Sequence, residues 1–396
     1  MFKMVPTFIR YRYQWEKGYL KNLVLKKQLY WDFVFECSSE GEFEQVYKLI
    51  DEVLKKKQKN NILILFGSPS VERTLQKLKA EHDSLLEICC VPLLNVTFPF
   101  FSFFAKIKAR KYIQVKYDFF PHLLYLAKQS GRSYLINTFW ETQKKWKLIL
   151  FFPFQYFSTA TQNTYKNLGH YIHGDRIFYG DFRILRILER QLHAWSTLRS
   201  KFPQLENFFF YLQDNKSKVI IHGNFWPEEI GHEWNKNFFP SSTQYVIVPH
   251  EINDKTLPYY QNLEKQGKIN LLNGKDIPPA IDYSLPTVLF IKGVLCEMYT
   301  LGDWAIVGGG YLHKVHSLLE PYLSGAKVFC GAGIFHSQEY SLIFSYDFKG
   351  INIATSLKNS HEQLDIQLNL REATPPRNWV SSIEKESQAL IPLILS

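Results

Sequence analysis

The stretch Asp303–Pro321, DWAIVGGGYLHKVHSLLEP, decides how the rest of the chain is read. Ala305, Ile306 and Val307 are small or β-branched and read as the end of a buried strand. Gly308, Gly309 and Gly310 follow at once, so the backbone can turn sharply and a ligand can approach the main chain closely. A helix starting near Val315 would aim its free N–H groups at that turn, which suits an anion. His316 and Glu320, four apart, would share one face of that helix. Strand, glycine turn and helix suit a nucleotide, with phosphate on the helix end and ribose hydroxyls on the carboxylate. A glycine turn beside a buried histidine also occurs in α/β proteins at large, and alone it is a weak signal. His313, His316 and Glu320 could serve as metal ligands, but no further ligand cluster accompanies them and zinc usually takes three or four.

Outward from this stretch, short apolar runs alternate with helical patterns. In the second half, residues 218–225, 244–251, 268–274, 287–293, 303–310 and 327–333 read as strands. In the first half, strands are expected at 31–37, 60–68, 85–91, 111–118 and 132–139. Residues 41–57 and 121–129 read as helices. Alternation of this kind implies parallel βαβ units. The fold class expected is α/β, with two doubly wound sheets, and ligands in such sheets sit at the strands' carboxyl ends. The boundaries expected are residues 1–188, a joining helical stretch at 189–215, a second domain at 216–377 and a terminal helix at 378–396.

With 396 residues, two domains are the natural expectation. The net charge of +10 suggests a nucleic acid, an anionic membrane surface or a phosphorylated substrate. Residues 1–30 carry seven basic side chains against Glu16 alone. Residues 105–116 carry Lys106, Lys108, Arg110, Lys111 and Lys116 with no acid, directly after FPFFSFFA (98–105). Aromatics beside a basic run suit a membrane interface, and a solvated face beside a buried one is the plainer reading. Cys37, Cys89, Cys90, Cys296 and Cys330 are odd in number and form no C-x-x-C, which fits buried free thiols. No signal peptide is expected, and no apolar run nears the ~20 residues a spanning helix needs. Membrane contact is therefore expected to be peripheral.

Glu42 in SSEGEFEQ (38–45) stands at the start of a helix after the first strand. It is either a carboxylate favoured by the helix dipole or a general base facing a substrate hydroxyl. HGNFWPEEI (222–230) reads as a second glycine turn before a helix with proline in its first turn. Asp118 reads as a strand-end carboxylate beside the next helix.

GGGYLHKVHSLLEP resembles the GGG…HNxLEP signature of 3-deoxy-D-manno-octulosonic acid (Kdo) transferases, enzymes of lipopolysaccharide assembly. The likeness continues in order along the chain. Ser39-Glu40-Gly41-Glu42 is similar to the family's SxGE, with Glu36 in place of the usual preceding histidine. Asp118, Pro121 and Asn137 match or nearly match an acceptor motif in which Lys116 replaces an acid and Phe139 an arginine. Asp181 and Arg183 match a segment that closes the first domain. Gly223, Trp226, Pro227 and Glu228 match a donor motif whose Ser-Thr pair is here Asn224-Phe225. Pro249, His250 and Glu251 resemble a further donor motif, as do Gly293, Leu295 and Tyr299, and Gln338-Glu339.

The resemblance implies the GT-B architecture, two facing Rossmann-like domains with a cleft between them and a last helix crossing back onto the first. It implies an inverting glycosyltransferase with Glu42 as catalytic base. CMP-Kdo would meet Gly223, Asn224, Gly293, Gly309, Gly310 and His316, with Pro249 and His250 near the cytosine and Glu320 on the ribose. Gly41, Asp118 and Asn137 would contact the acceptor, a lipid A precursor, at the cytoplasmic face of the bacterial inner membrane. The scheme requires no cofactor and no metal. The family's amino-terminal hydrophobic anchor is not found. A relative that binds a sugar nucleotide or glycolipid without transfer is the alternative. A nucleic-acid partner is not expected, since only charge suggests one.

Overall fold

The structure is a computed structural model, and it describes residues 4–26, 29–56, 60–82, 84–91, 105–116, 118–140, 148–214, 218–230, 243–276, 280–334, 337–347, 349–357, 360–361 and 378–396. It divides into two units, Met1–Arg186 with Ser381–Ser396, and Ile187–Val380.

In the first unit the strands are β1 (Tyr30–Cys37), β2 (Ile62–Phe66), β3 (Leu86–Cys90), β4 (Lys108–Val115), β5 (Arg132–Thr138), β6 (Tyr156–Thr159) and β7 (Ile177–Tyr179). They form one sheet in the order β3-β2-β1-β4-β5-β6-β7, with every pairing parallel. Phe33, Phe35 and Cys37 enter one core and Val34 the other; Ile62, Ile64 and Phe66 share the first core and Leu63 and Leu65 the second. A sheet covered on both faces explains why these strands read as continuous apolar runs. Helix α1 (Met4–Lys26) lies against β3, the edge strand, with Leu20 and Leu23 buried. Helix α2 (Glu40–Lys55) sends Phe43, Val46, Leu49, Ile50 and Val53 into the first core, the spacing of one helical face. The terminal helix (Asn378–Leu395) adds Leu390, Ile394 and Leu395 to that core.

Lys111 does not join an exposed basic run. It is 2% exposed, and its Nζ donates to the Ile394 carbonyl of the terminal helix at 2.7 Å. Burial first, and then Arg110 and Arg132, push its pKa down to about 8. Lys106 and Lys108 are exposed. The aromatics of the same expectation, at 98–104, lie outside the described residues. Arg12 is likewise turned inward, its Nε donating to Glu16 at 2.6 Å.

In the second unit the strands are β8 (Lys218–Phe225), β9 (Thr243–Pro249), β10 (Asn270–Leu272), β11 (Thr287–Leu289), β12 (Trp304–Val307), β13 (Lys327–Gly331) and β14 (Ile351–Ala354). Their order is β10-β11-β9-β8-β12-β13-β14, again with every pairing parallel. The fold is α/β of the GT-B type. Strands β6, β7 and β14 were not legible beforehand, because three or four residues are too few to establish a period. All five cysteines are buried and free. No helix among the described residues is long and apolar enough to cross a membrane.

Candidate active site

The strand order locates a site in each unit. In a doubly wound sheet, ligands bind at the carboxyl ends of the two strands where the order reverses direction. In the first sheet these are β1 and β4, and in the second β8 and β12.

At the first position the chain turns from β1 into α2 through Ser38 and Ser39. The Ser39 hydroxyl caps α2 by accepting from the Glu42 N–H. Ser38 N–H donates to Glu42 Oε2 at 2.7 Å, and the Ser38 hydroxyl donates to Glu36 Oε1 at 3.1 Å. The carboxyls of Glu36, Glu42 and Asp118 face one another. Burial, the largest cause in each case, raises all three pKa values; the Ser38 N–H and Lys116 pull Glu42 back down. A half-buried carboxyl shifted upward is a stronger base than a free one, which suits proton abstraction. Asn137 Nδ2 donates to Gln45 Oε1 at 2.9 Å and Gln45 Nε2 to the Gly41 carbonyl at 3.0 Å, tying Asn137 and Gly41 to the same helix start.

At the second position β8 and β12 pair Gly223 with Val307, and Gly308–Gly310 follow. The Gly309 N–H donates to Glu229 Oε1 at 2.7 Å, and Glu229 Oε2 lies 3.6 Å from His222 Nε2 with both side chains buried. Trp226 stacks on His250 at 4.4 Å between centroids and leans on His313 at 4.3 Å, while His250 stacks on His316 at 4.2 Å. Burial, and then His250, push the His316 pKa down to about 4, and burial also lowers that of His250. The Gly223 position admits no side chain, because a Cβ there would lie 2.1 Å from the Tyr299 hydroxyl. Among the described residues the Nε1 of Trp226, the Nε2 of His222 and His316 and the Tyr299 hydroxyl are buried without a hydrogen-bond partner.

Two expectations are corrected. The helix after the glycine turn runs Leu319–Leu323, so His316 precedes it and shares no helical face with Glu320. Nor are the amides open to an anion. Glu229 holds that of Gly309, and Glu339 Oε2 accepts from the N–H groups of Leu318 and Leu319 at 2.7 and 3.0 Å. Among the described residues no group of three His, Cys, Asp or Glu side chains is placed to hold a metal ion. Pro249 ends β9 with His250 next to it. Glu320 lies 4.0 Å from Arg190 Nη1, and Arg190 also holds Glu297 at 2.8 Å and reaches the Gly293 carbonyl at 3.5 Å. Arg190 and Glu229 were missed beforehand. Glu229 could have been noticed as an acid two residues past the proline that starts a helical turn, whereas nothing local marks Arg190.

Among the described residues the non-glycine residues with positive φ are Lys116, Asn137 and Asn224, at 58°, 53° and 54°. Lys116 follows β4, and Asn137 and Asn224 lie near the carboxyl ends of β5 and β8. Left-handed backbone at such residues costs free energy and clusters at functional sites.

Residues 10–161, covering most of the first unit's main segment, match the model of the family described as 3-deoxy-D-manno-octulosonic-acid transferase (kdotransferase). Over that stretch, less than half of the chain, it is similar to the Kdo transferase family. No curated protein matches the chain at a significant level. Among solved structures it is similar to UDP-GlcNAc 2-epimerase from Neisseria meningitidis, with 12% identity, 92% of this chain and 98% of that one covered, and a TM-score of 0.58. A putative UDP-N-acetylglucosamine 2-epimerase from Listeria monocytogenes gives 12% identity, 91% and 90% coverage and a TM-score of 0.50. Both likenesses concern the fold alone. The C-terminal CMP-Kdo binding domain of WaaA from Acinetobacter baumannii matches at 17% identity over 49% of this chain and 98% of its own, with a TM-score of 0.36.

Proposed function

We propose that the chain is an inverting glycosyltransferase that moves Kdo from CMP-Kdo to a lipid A precursor, with Glu42 as general base. The observation that carries this reading is the coincidence of the family's motif residues with the switch point of each sheet. In the first unit, Glu42 takes the proton of an acceptor hydroxyl held near Gly41, Asp118 and Asn137. The hydroxyl oxygen then attacks the anomeric carbon from the face opposite CMP. The bond from that carbon to the phosphate oxygen breaks, and CMP leaves with the bonding pair. In the second unit the donor lies beside Gly223, Asn224, Gly293, Gly309 and Gly310. Because the Gly309 amide is taken, the phosphate meets side-chain donors instead, the Trp226 indole N–H and the imidazole of His316. Pro249 and His250 flank the base and Glu320 holds the ribose.

Lys116, with its left-handed backbone beside Glu42, favours an acceptor whose charge differs from that met by the acid usual in the family. The exposed Arg10, Lys17, Lys21, Lys106 and Lys108 would attach the first unit to the anionic cytoplasmic face of an inner membrane. The test is incubation of the chain with CMP-Kdo and a lipid A precursor, followed as CMP release and as the mass gain of the lipid. Acceptor-dependent CMP release with the lipid gaining one Kdo is the expected result; no release in the presence of acceptor refutes the reading.

A further inference from the structure

Glu36 lies in the middle of the first sheet, in register with Leu65 of β2 and Gln114 of β4, and it is wholly buried. The Ser38 hydroxyl donates to its Oε1, and among the described residues Oε2 has no partner. The titratable groups facing it are Glu42 and Asp118, with Cys37 beside it and Tyr112 on β4; among the described residues no cation faces it. A carboxylate so placed, with one bare oxygen, is costly to bury, and such groups hold a proton instead. Ser38 connects Glu36 to the proposed base, because its hydroxyl binds Glu36 while its N–H binds Glu42 Oε2. Gly67 confines Ser38 from the other side, since a Cβ at Gly67 would lie 2.8 Å from the Ser38 hydroxyl oxygen.

We propose that Glu36, as the undissociated acid, is a positioning residue for Glu42 and acts through Ser38. It accepts the Ser38 hydroxyl, fixes the β1–α2 turn and so aims the Ser38 N–H at the Glu42 carboxylate. A neutral group in this place holds the turn without adding a second negative charge beside the base. Burial and the neighbouring Asp118 and Glu42 carboxyls all favour the proton on Glu36. The proposal rests on Glu42 being the base, and its test is chosen to stand apart from turnover.

The experiment is a ¹³C NMR titration of the full chain labelled at glutamate Cδ, with Glu36→Gln and Glu42→Gln assigning the two resonances. Glu36 should remain at the carboxylic-acid position well past the ordinary carboxylate range. Ser38→Ala and Glu36→Ala should raise the Glu42 midpoint by on the order of half a unit, because the N–H bond that favours the carboxylate is loosened. Glu36→Gln, whose amide oxygen still accepts from Ser38, should bring it back. If Glu36→Ala does not fold, Ser38→Ala decides the matter alone. A Glu36 resonance at the ionised position at pH 7 overturns the proposal. So does a Glu42 midpoint identical in wild type and Ser38→Ala. In turnover, Glu36→Ala should lower kcat about ten- to a hundredfold at constant donor KM, with Glu36→Gln recovering most of the loss. A wild-type chain without turnover refutes the transferase reading and leaves the titration to judge Glu36.

Discussion

The Gly309 N–H donates to Glu229 Oε1 at 2.7 Å, so the glycine turn after β12 is closed by a carboxylate of the chain's own. The other oxygen of Glu229 lies 3.4 Å from the Trp226 N–H. The turn that looked like an open cradle for phosphate is thus an internally satisfied joint holding β8 and β12 together. Glu229→Ala would strip two amides of their acceptor in a place water does not reach, and a buried unsatisfied group costs about 1–3 kcal/mol. Its melting temperature should fall, and CMP should protect it less against thermal unfolding than it protects the parent. Glu229→Gln, which keeps an acceptor oxygen, should lose less. Equal melting of Glu229→Ala and wild type, followed by circular dichroism, would remove Glu229 from this role.

Gly309 and Gly325 make a controlled pair. Their φ values are +95° and +96°, but a Cβ at Gly309 would lie 2.1 Å from the Lys314 carbonyl oxygen, whereas one at Gly325 meets nothing within 4 Å. Alanine at Gly325 should therefore cost only backbone strain, on the order of 1 kcal/mol. Alanine at Gly309 should add about 1–3 kcal/mol for the clash. Urea unfolding of both variants checks the difference, and equal losses would show that the turn yields easily.

Glu42→Ala should lower turnover about 10²–10⁴-fold with little change in donor affinity, because a base acts only as charge develops. Glu320→Ala should weaken donor binding with a smaller effect on kcat, because the proposed ribose contact would be made in ground and transition states alike. Steady-state kinetics with varied CMP-Kdo separates the two. Full activity in Glu42→Ala would rule out the assigned base. The raised pKa of Glu42 means that kcat should climb as pH rises through it, since the proposed base would work as the carboxylate.

One half-buried and one buried group give stability opposite pH dependences. His316, held down to about 4 against 6.5 unfolded, binds fewer protons folded than unfolded between those values. Its contribution is present above pH 6.5 and is lost as pH falls toward 4. Glu36, raised well above 4.5, binds more protons folded. Its contribution is present below about pH 4.5 and is lost as pH rises through its folded pKa. His316→Asn should flatten the acid side of the stability profile and Glu36→Gln the alkaline side. Melting temperatures measured from pH 4 to 9 test both signs, and parallel profiles for wild type and His316→Asn would contradict the first.

Much of this protein is local and was legible in the sequence. Apolar runs such as Ile62–Phe66 and the helical spacing of Phe43, Val46, Leu49, Ile50 and Val53 report burial on two faces or on one, because side-chain direction follows from backbone period. The glycine turn after Val307 and the cap at Ser39 are local for the same reason. What only the tertiary structure decided is which distant segments share a surface. Strand order put Glu36 beside Gln114 and Val307 beside Gly223, and so made switch points of those strand ends. Long-range packing also reversed two local signals. Lys111 sits in a basic run but folds beneath a helix that begins more than two hundred residues later, and an apparently free helix start at Leu319 is filled by Glu339. Hydrogen bonds and charges are satisfied by proximity in space, and a linear pattern carries no record of which partner the fold delivers.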